Sequence, residues 1–359
     1  MSLLQGINRL RFVGMILLLV MTGFVVLTAA RAENSKPSPG KLRVYFIDVE
    51  GGQSTLFITP EGESLLIDAG WPDNKYRDAD RIAAVVKQAG LNRIDYVLIT
   101  HFHVDHVGGV PQLLERIPVG TFLDHGSNRE LNDAPTVSGY AAYEKILASG
   151  KTKHHTLKPG DILPIAGIKA TVISADGNLI SNALPGGGQP NPFCKDSEVR
   201  SADKTENSRS LGVQISFGKL RMLDLGDLTW DKEMDLMCPL NKLGRIDVLV
   251  VSHHGWYQSS SPALVHAIHA RVAIMDNGEK KGGSTPTLQT IKKAPGLETL
   301  WQLHYSDEGG AGNNTAAEYV ANSQGTDAGN YFELTGTSDG SFDVMNSRTK
   351  LTKHYTAPR

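Results

Sequence analysis

A dense cluster of histidine and carboxylate side chains within residues 99–109 constrains this chain more than any other feature. The segment reads ITHFHVDHVGG and contains His101, His103, Asp105 and His106. Zinc and similar borderline metals prefer imidazole and carboxylate, and histidine is their commonest ligand. Packing alone does not explain three histidines so close together with an aspartate between them. The cluster therefore predicts a metal site.

The spacing within the cluster predicts two metal ions. Residues two apart in an extended or tightly turned segment share a face, so His101 and His103 can bind one ion. Asp105 and His106 then face a second one. Two metals a few ångströms apart need an anionic ligand that bridges them. We therefore expect two divalent ions, zinc by the type of ligand, and a bridging carboxylate elsewhere in the chain.

Two downstream segments contain candidates for the remaining ligands. In LRMLDLGDLTW, Asp227 ends an apolar strand and is the candidate bridge, with Asp224 as its rival. In VLVVSHHGW, His253 and His254 also follow an apolar run. Adjacent strand residues point to opposite faces, so we expect one of the two to face the ion. We favour His254, with His253 as the partner of a ligand or the alternate ligand.

Three further polar residues follow predicted strands. Asp68 in LLIDAG is predicted to orient a metal-binding histidine, and an ordinary turn-capping aspartate is the alternative. Asn277 in MDNG and His304 in LWQLHYSD either line a substrate pocket or are structural.

The pattern of apolar runs predicts an α/β fold. KLRVYFIDV, STLFITP and SLLIDAG predict three strands, followed by a helix over 78–88 and a buried strand in IDYVLIT. The second half has strands in LGVQISF, LRMLDLGD, IDVLVV and RVAIMDNG, and helices in SPALVHAIHA and TPTLQTIKKA. Two groups of strands with interspersed helices predict sheet packed on sheet with helices outside. Residues 176–208 predict a long functional or mobile loop.

The N-terminus has the layout of a secretory signal peptide. Arg9 and Arg11 precede an apolar run over residues 12–27, and a small-residue pattern ends at Ala32. We predict cleavage after Ala32, and an uncleaved membrane anchor is the alternative. In either case we expect the domain outside the cytoplasm, periplasmic or secreted, with no membrane contact after cleavage.

The mature chain is then predicted as a linker over 33–40 and one domain over 41–359. Removal of residues 1–32 deletes three arginines and no acidic residue, which takes the formal charge from −2 to −5. An acidic protein lacks the cationic surface of general nucleic-acid binding, so we expect no stable nucleic-acid partner. Cys194 and Cys238 are the only cysteines, and their even number favours a disulfide if the protein is exported, with two separate core thiols as the alternative.

In their order along the chain, these motifs resemble those of the metallo-β-lactamase superfamily of hydrolases. The matching segments are LLIDAG, THFHVDH, LDLGD and VSHHG. The resemblance implies a four-layer αββα sandwich with two metals at the edge of the sheets. YFIDVEGGQSTLFITPEG and SRSLGVQISFG are similar to the branch that contains the metallo-hydrolase domain of the DNA-uptake competence protein. We expect neither that protein's membrane helices nor its oligonucleotide-binding segment, and no role in DNA uptake.

One position departs from the superfamily pattern. A third histidine for the first metal usually precedes SLGV, where this chain has TENSRS with Glu206 and Asn207. The resemblance makes Asn207 the positional stand-in, and His125 in LDHGSN is an alternative from another loop. An amide oxygen is a weaker donor than imidazole, so we expect a looser first site or a harder ion such as manganese.

Together these features predict a metal-dependent hydrolase. Bound metals lower the pKa of a water toward 7 and polarise a scissile carbonyl or phosphoryl oxygen. Asp105 is also the predicted catalytic residue, which accepts the proton of the nucleophile or orients the water. We expect a small-molecule or phosphodiester substrate, with amide, ester or lactone hydrolysis, β-lactamase-like activity, or a non-catalytic metal-binding domain as alternatives. The predicted metal ligands are His101, His103, Asp105, His106, Asp227 and His254, with Asp68, Asn207 and His253 as supporting or alternate residues.

Overall fold

Two β-sheets of nine and eight strands form the centre of the domain. The structure is a computed structural model that describes residues 40–358, so the predicted signal peptide and most of the predicted linker lie outside the described residues. The strands are β1 (Leu42–Phe46), β2 (Thr55–Ile58), β3 (Ser64–Ile67), β4 (Ile94–Leu98), β5 (Val119–Asp124), β6 (Lys153–Thr156), β7 (Lys169–Ala175), β8 (Asn178–Leu179), β9 (Gln189–Pro190), β10 (Gly212–Phe217), β11 (Leu220–Asp224), β12 (Leu240–Asn241), β13 (Val248–Val250), β14 (Val272–Met275), β15 (Thr299–His304), β16 (Val320–Asn322), β17 (Phe332–Gly336), β18 (Phe342–Asn346) and β19 (Thr352–Tyr355).

Eight α-helices are present in the described residues, and none of them is long and apolar enough to cross a membrane. The helices are α1 (Arg77–Gln88), α2 (Val104–Val107), α3 (Val110–Leu114), α4 (Ala134–Ala148), α5 (Trp230–Met237), α6 (Pro262–Val265), α7 (Thr285–Lys292) and α8 (Gly310–Asn313).

The strand order explains how distant segments come together. The first sheet has the order β19-β18-β17-β1-β2-β3-β4-β5-β6, and the second has β16-β15-β14-β13-β11-β10-β7-β8. β3 to β6 pair in parallel, as do β11 and β13 to β16. Parallel strands are buried on both faces, which accounts for their continuous apolar sequences.

Three apolar clusters give the domain four layers. One lies between the sheets, where Phe46 and Phe57 of the first sheet share a cluster with Val213 and Trp301 of the second. A second cluster includes α1 and α4 residues with the outer face of the first sheet, and a third includes α5, α6 and α7 residues with the outer face of the second. The predicted αββα sandwich is confirmed, because each sheet buries one face on its partner and the other under helices.

Two local predictions differ from the structure. The helix predicted in SPALVHAIHA is a single turn, α6, because the chain bends at His269, whose φ is +49°, before it enters β14. The predicted loop over 176–208 contains the short strands β8 and β9 and two 3-10 turns. The first sheet is also extended by β17 to β19, near the C-terminus, because β17 pairs antiparallel with β1.

A disulfide between Cys194 and Cys238 attaches the long loop to the end of α5, with the two Cα atoms 5.9 Å apart. The bond spans 44 residues, and a cross-link of that length stabilises a fold by about 2–4 kcal/mol, chiefly by restricting the unfolded chain. We expect the double variant Cys194→Ser/Cys238→Ser to lose about this free energy of unfolding in urea titrations. Reduction of the wild type should give the same loss, and reductant should not affect the variant. Equal stability of wild type and variant would contradict the prediction.

A buried ion pair joins the two sheets. His304, at the end of β15, is fully buried and its Nε2 lies 2.7 Å from Asp48 Oδ1, just beyond β1. Asn277 donates to the His304 carbonyl and is also fully buried. Both residues are therefore structural in this fold. Burial lowers the pKa of His304, but the hydrogen bond and charge of Asp48 outweigh it and raise that pKa above its usual value.

This pair makes stability depend on pH. A histidine with a raised pKa stabilises the fold below its ordinary pKa of about 6.5, and the contribution disappears as the pH rises through the folded value. We expect His304→Asn to lower the free energy of unfolding by about 3 kcal/mol at pH 6, and by less at pH 9. Urea titrations at both pH values measure the effect. The exposed pair of His354 and Asp343 is the control, because His354→Asn should change little at either pH. A loss that is independent of pH would contradict the assignment.

Candidate metal centre

The loops that follow β4, β11 and β13 converge at one edge of the two sheets. His101 lies three residues beyond β4, Asp227 three residues beyond β11, and His254 four residues beyond β13. β4 belongs to the first sheet and the other two strands to the second, so both sheets contribute to the same site. This convergence brings together side chains that are more than 100 residues apart in the sequence.

Four of the predicted ligands form a tight buried cluster. One ligand atom from each of Asp105, His106, Asp227 and His254 lies within 4.8 Å of the others. His106 Nε2 is 3.3 Å from Asp227 Oδ2 and 3.2 Å from His254 Nε2. His254 Nε2 is in turn 3.2 Å from Asp105 Oδ2. These are the donors that we predict for the second ion.

The remaining predicted ligands lie on the other side of Asp227. His101 Nε2 is 3.8 Å from Asp227 Oδ2, and the ring centroids of His101 and His103 are 4.7 Å apart. Asp227 thus has histidines of both groups around its carboxylate, which is the position that a bridging ligand needs. His103 Nε2 donates a hydrogen bond of 2.9 Å to Glu130 Oε2, which holds the ring in place.

Several buried atoms of this site have no hydrogen-bond partner, and this tests whether the residues fit a metal. His101 Nε2, Asp227 Oδ1 and Asn207 Oδ1 are all buried and unpaired among residues 40–358. A buried polar atom without a partner costs free energy, and a coordinated cation removes that cost. The orphaned atoms are of the types that bind zinc and related ions. The residues therefore fit a site for divalent metal.

The electrostatics of the cluster also suit a cation. Burial would raise the pKa of Asp227, but the neighbouring histidines outweigh it and hold that pKa well below its usual range. Burial would also raise the pKa of Asp105, but the Lys281 ammonium and His106 outweigh it and hold that pKa well below its usual range. Burial lowers the pKa of His254, yet Asp227 more than compensates and raises it to about 10. The two carboxylates are thus ionised at neutral pH and available to a metal.

Asp68 supports the cluster from behind. Its carboxylate lies 2.7 Å from His106 Nδ1 and accepts hydrogen bonds from the backbone N–H and the hydroxyl of Thr100. This leaves Nε2 of His106 to face the site, as a histidine ligand requires. Asp224 instead accepts from Gln53 Nε2 at 2.7 Å and from the Gly226 N–H, away from the histidines.

Gly226 permits the close approach of the Asp227 loop. Its φ is +55°, and a Cβ at this position would lie 2.8 Å from Cβ of Thr100. Any larger residue would push the loop away from Thr100 and displace Asp227 from the histidines.

The SHHG segment does not follow the alternation that we expected. β13 ends at Val250, and His253 and His254 both have positive φ, +56° and +53°. As a result, Nε2 of each lies close to Asp227 Oδ2, at 3.4 Å and 3.5 Å respectively. The expectation that only one histidine can face the site is wrong, because the strand ends before them.

The two residues predicted as stand-ins for the third histidine occupy different surroundings. Asn207 Nδ2 is 3.3 Å from His253 Nε2, so this side chain lies at the site. His125 Nε2 is 3.1 Å from Glu206 Oε2, and His125 is not among the clustered ligands. His253 lies close to both Asn207 and Asp227. His253 is therefore the candidate for the third histidine of the first ion.

We expect His253→Ala to weaken the first metal by at least about tenfold and to leave the second in place. Burial lowers the pKa of His253 to about 4, so the ring is neutral and able to bind metal at pH 7. Titration with zinc against a chromogenic chelator, with metal analysis, measures both affinities. His155→Ala, on an exposed position of β6, is the control. Two unaltered tight sites in His253→Ala would contradict the assignment.

Two functional candidates were missed by the sequence analysis. Lys281 Nζ donates to the Asp105 carboxylate and to the Gly51 carbonyl, the latter at 2.7 Å, and lies 4.7 Å from the Trp71 ring centroid. Asp276 is buried with both carboxylate oxygens unpaired, and Oδ1 lies 3.6 Å from His254 Nδ1. Asp276 follows β14 in the manner of the other site residues, which is the signal that could have identified it. Lys281 has no comparable signal in the sequence.

Comparison with known proteins gives matches to parts of the chain. The family model described as the metallo-beta-lactamase superfamily matches residues 48–176. A hydroxyacylglutathione hydrolase of Xylella fastidiosa is 28% identical over 126 residues, which cover 35% of this chain and 37% of that protein. The chain thus matches little more than a third of the length of this relative.

Two further similarities extend over more of the chain. Recombination protein 2 of Haemophilus influenzae is 26% identical over 247 residues, which cover 68% of this chain and 25% of that protein. The crystal structure of the metallo-beta-lactamase fold protein YhfI from Bacillus subtilis is similar with a TM-score of 0.43 and 14% identity, over 73% of this chain and 96% of that one.

Proposed function

We propose that the chain is a metal-dependent hydrolase of phosphodiesters, which is supported by the match of residues 48–176 to the metallo-beta-lactamase superfamily model. The observation that carries the proposal is the convergence of Asp105, His106, Asp227 and His254 within 4.8 Å. Divalent ions held there supply Lewis-acid polarisation of the scissile group and lower the pKa of water toward 7. Zinc suits the imidazole and carboxylate donors of both groups, and manganese is the alternative where Asn207 contributes.

The side chains divide into three roles. His101, His103 and His253 would hold the first ion, Asp105, His106 and His254 would hold the second, and Asp227 would serve both. Asp68 fixes the ring of His106 through its Nδ1. Asp105, which keeps one carboxylate oxygen close to His254 and Lys281, is positioned to accept the proton of the attacking water or to orient that water.

Lys281 favours a negatively charged substrate. Its ammonium lies beside Asp105 with its side chain 32% exposed, so a substrate oxygen can reach it from solvent. A fixed cation beside the metals attracts the anionic oxygens of a phosphodiester and stabilises the charge that increases on them during displacement. A neutral ester or lactone gains nothing from this group.

A substrate panel tests the proposal. Purified, metal-analysed protein is assayed with bis-p-nitrophenyl phosphate, a chromogenic cephalosporin, a lactone and a hydroxyacylglutathione. We expect kcat/KM for the phosphodiester to exceed the others by at least about tenfold. Lys281→Ala should lower it by about 10- to 100-fold, since a charge-assisted hydrogen bond is worth roughly 1.5–3 kcal/mol. Lys280→Ala, at an exposed neighbouring position, is the control.

Other outcomes identify the alternatives. Turnover of the cephalosporin, the lactone or the hydroxyacylglutathione, without turnover of the phosphodiester, would contradict the proposed substrate class and identify the correct one. Bound metal without turnover of any substrate would favour a non-catalytic metal-binding domain.

We also propose that the protein is exported and acts in the periplasm or outside the cell. The signal-type sequence of residues 1–32 supports this location, and so does the Cys194–Cys238 disulfide, since disulfides persist in oxidising compartments. Cell fractionation with N-terminal sequencing of the mature protein is the test. Cytoplasmic protein that begins at Met1 would contradict the proposal.

A further inference from the structure

A cavity of about 570 Å³ is lined by residues that lie close in sequence to the metal-site residues, and it has no role in the chemistry described above. Its volume falls within the range of about 300–1,000 Å³ that is typical of small-molecule sites. The wall includes the rings of Trp230 and Tyr257 and the cations Arg200 and Lys204. Such a lining differs from that of the metal site, where histidine and aspartate predominate.

The cavity is built by the three segments that also carry metal-site residues. Residues 198–204 lead directly into Asn207, Thr229 follows Asp227 by two residues, and Tyr257 follows His254 by three. Consecutive Cα atoms are 3.8 Å apart, so the Cα atom of Thr229 is within about 8 Å of that of Asp227. The wall of the cavity at Thr229 therefore lies within the length of a substituted phosphodiester from Asp227.

The acidic groups of the wall are already engaged. Asp231 accepts the Thr229 hydroxyl at 2.6 Å, and Asp203 accepts the N–H and hydroxyl of Thr205. Glu198 pairs with Arg200, at 2.7 Å from its Nε. These carboxylates are therefore held by the protein and are less available to a ligand.

Lys204 and the Tyr257 ring remain available. Lys204 is exposed and has no ion-pair partner in the part of the chain that the structure describes. The Arg200 guanidinium lies over the Trp230 ring, 3.6 Å from its centroid, whereas Tyr257 is 48% exposed at the same wall. Flat aromatic and guanidinium surfaces bind planar rings, and an unpaired lysine binds an anion.

We propose that this cavity is a substrate subsite that binds a planar aromatic group joined to the scissile phosphate, with Tyr257 stacking on the ring and Lys204 attracting a negative charge near it. The proposal rests on the function proposed above, because it supplies the part of the substrate that the metals do not contact. An aryl ester and a nucleotide share this chemistry, and the experiment below distinguishes them.

Equilibrium binding tests the subsite without turnover. The metal-loaded protein is titrated with phenylphosphonate, adenosine 5′-monophosphate and methylphosphonate, with tryptophan fluorescence as the signal. We expect the two ring-bearing probes to bind at least about tenfold more tightly than methylphosphonate. Tighter binding of the adenosine probe indicates a nucleotide, and tighter binding of phenylphosphonate indicates a smaller aryl group.

Matched variants assign the effect to the cavity. Tyr257→Ala should weaken the ring-bearing probes by about tenfold and leave methylphosphonate unchanged. Lys204→Ala should weaken 4-carboxyphenylphosphonate, which carries a second anion on its ring, by about tenfold and leave phenylphosphonate unchanged. Tyr257→Phe and Lys204→Arg should restore binding, because they keep the ring and the charge. Lys153→Ala, on an exposed position of β6, should have no effect.

Kinetics then connect the subsite to catalysis. Tyr257→Ala should lower kcat/KM for bis-p-nitrophenyl phosphate by about tenfold and that for methyl p-nitrophenyl phosphate by less than about twofold, although both release the same phenol. Ring-bearing probes that bind no better than methylphosphonate, or variants that leave the three affinities unchanged, would overturn the proposal. Selective ring binding without hydrolysis of either diester would retain the subsite and refute the phosphodiesterase function.

Discussion

Replacement of Asp227 by asparagine should abolish metal-dependent turnover, with kcat/KM reduced by roughly 10³-fold or more. Asp227 Oδ2 lies 3.3–3.8 Å from Nε2 of His101, His106, His253 and His254, and no other carboxylate of the described residues contacts both groups of histidines. The asparagine side chain has nearly the same volume as that of Asp227, but it lacks the negative charge that would bind both cations. Metal catalysis is worth several kcal/mol, and about 4 kcal/mol corresponds to roughly a thousandfold change in rate.

Metal analysis and steady-state kinetics with bis-p-nitrophenyl phosphate measure the effect. Asp224→Asn is the matched control, because Asp224 is equally buried three residues earlier but is bound to Gln53. Burial raises the pKa of Asp224 to about 7, so an uncharged amide is a modest change there. We expect Asp224→Asn to retain both metals and most of its activity. Two bound metals and normal turnover in Asp227→Asn would remove the bridging role.

Removal of metal by a chelator should abolish turnover and lower the melting temperature by about 8–16 °C. A ligand present at about a thousand times its Kd stabilises a fold by about 4 kcal/mol, and each kcal/mol shifts the melting temperature by about 2–4 °C for a domain of this size. The metal-free site concentrates the buried charges of Asp105 and Asp227 and leaves His101 Nε2 unpaired, so the metal is a large part of the local stability. Differential scanning calorimetry with and without chelator is the measurement.

Two controls accompany this experiment. Addition of zinc or manganese should restore both activity and melting temperature, which separates metal loss from irreversible damage. Chelator should change the activity and melting temperature of Asp227→Asn little, because this variant already lacks the carboxylate proposed to bind both metals. A melting temperature that chelator does not alter in the wild type would show that the cluster holds no metal in solution.

The pH dependence of metal binding follows from the same charges. Because Asp227 raises the pKa of His254 to about 10 in the metal-free protein, that imidazolium must lose a proton before it binds metal. Metal affinity should therefore rise between pH 6 and pH 8, by about tenfold per unit for each proton released. Zinc titrations across this range extend the chelator experiment.

Much of this site can be read from the sequence because its chemistry is local. The spacing of His101, His103, Asp105 and His106 carries the metal signal within one loop, and the apolar runs before Asp227 and His254 identify strand ends. Strand periodicity and parallel burial likewise leave a clear sequence pattern, from which the sandwich follows. The order of these segments along the chain then matches that of a known superfamily, which indicates that they belong to one site.

Only the tertiary structure decided how distant segments contact each other. The turn at SHHG directs both His253 and His254 to Asp227, because two successive positive φ values cancel the alternation of a strand. Lys281 reaches Asp105 across 176 residues, and β17 pairs with β1 although more than 280 residues separate them, so neither contact leaves a local pattern. Periodicity reports which face of a segment is buried, whereas partners and side-chain directions depend on packing between layers. For that reason the sequence alone determined the candidate ligand types and the sandwich, and the folded chain determined the approach of His253 to Asp227, the contact of Lys281 with Asp105 and the cavity lined by Lys204 and Tyr257.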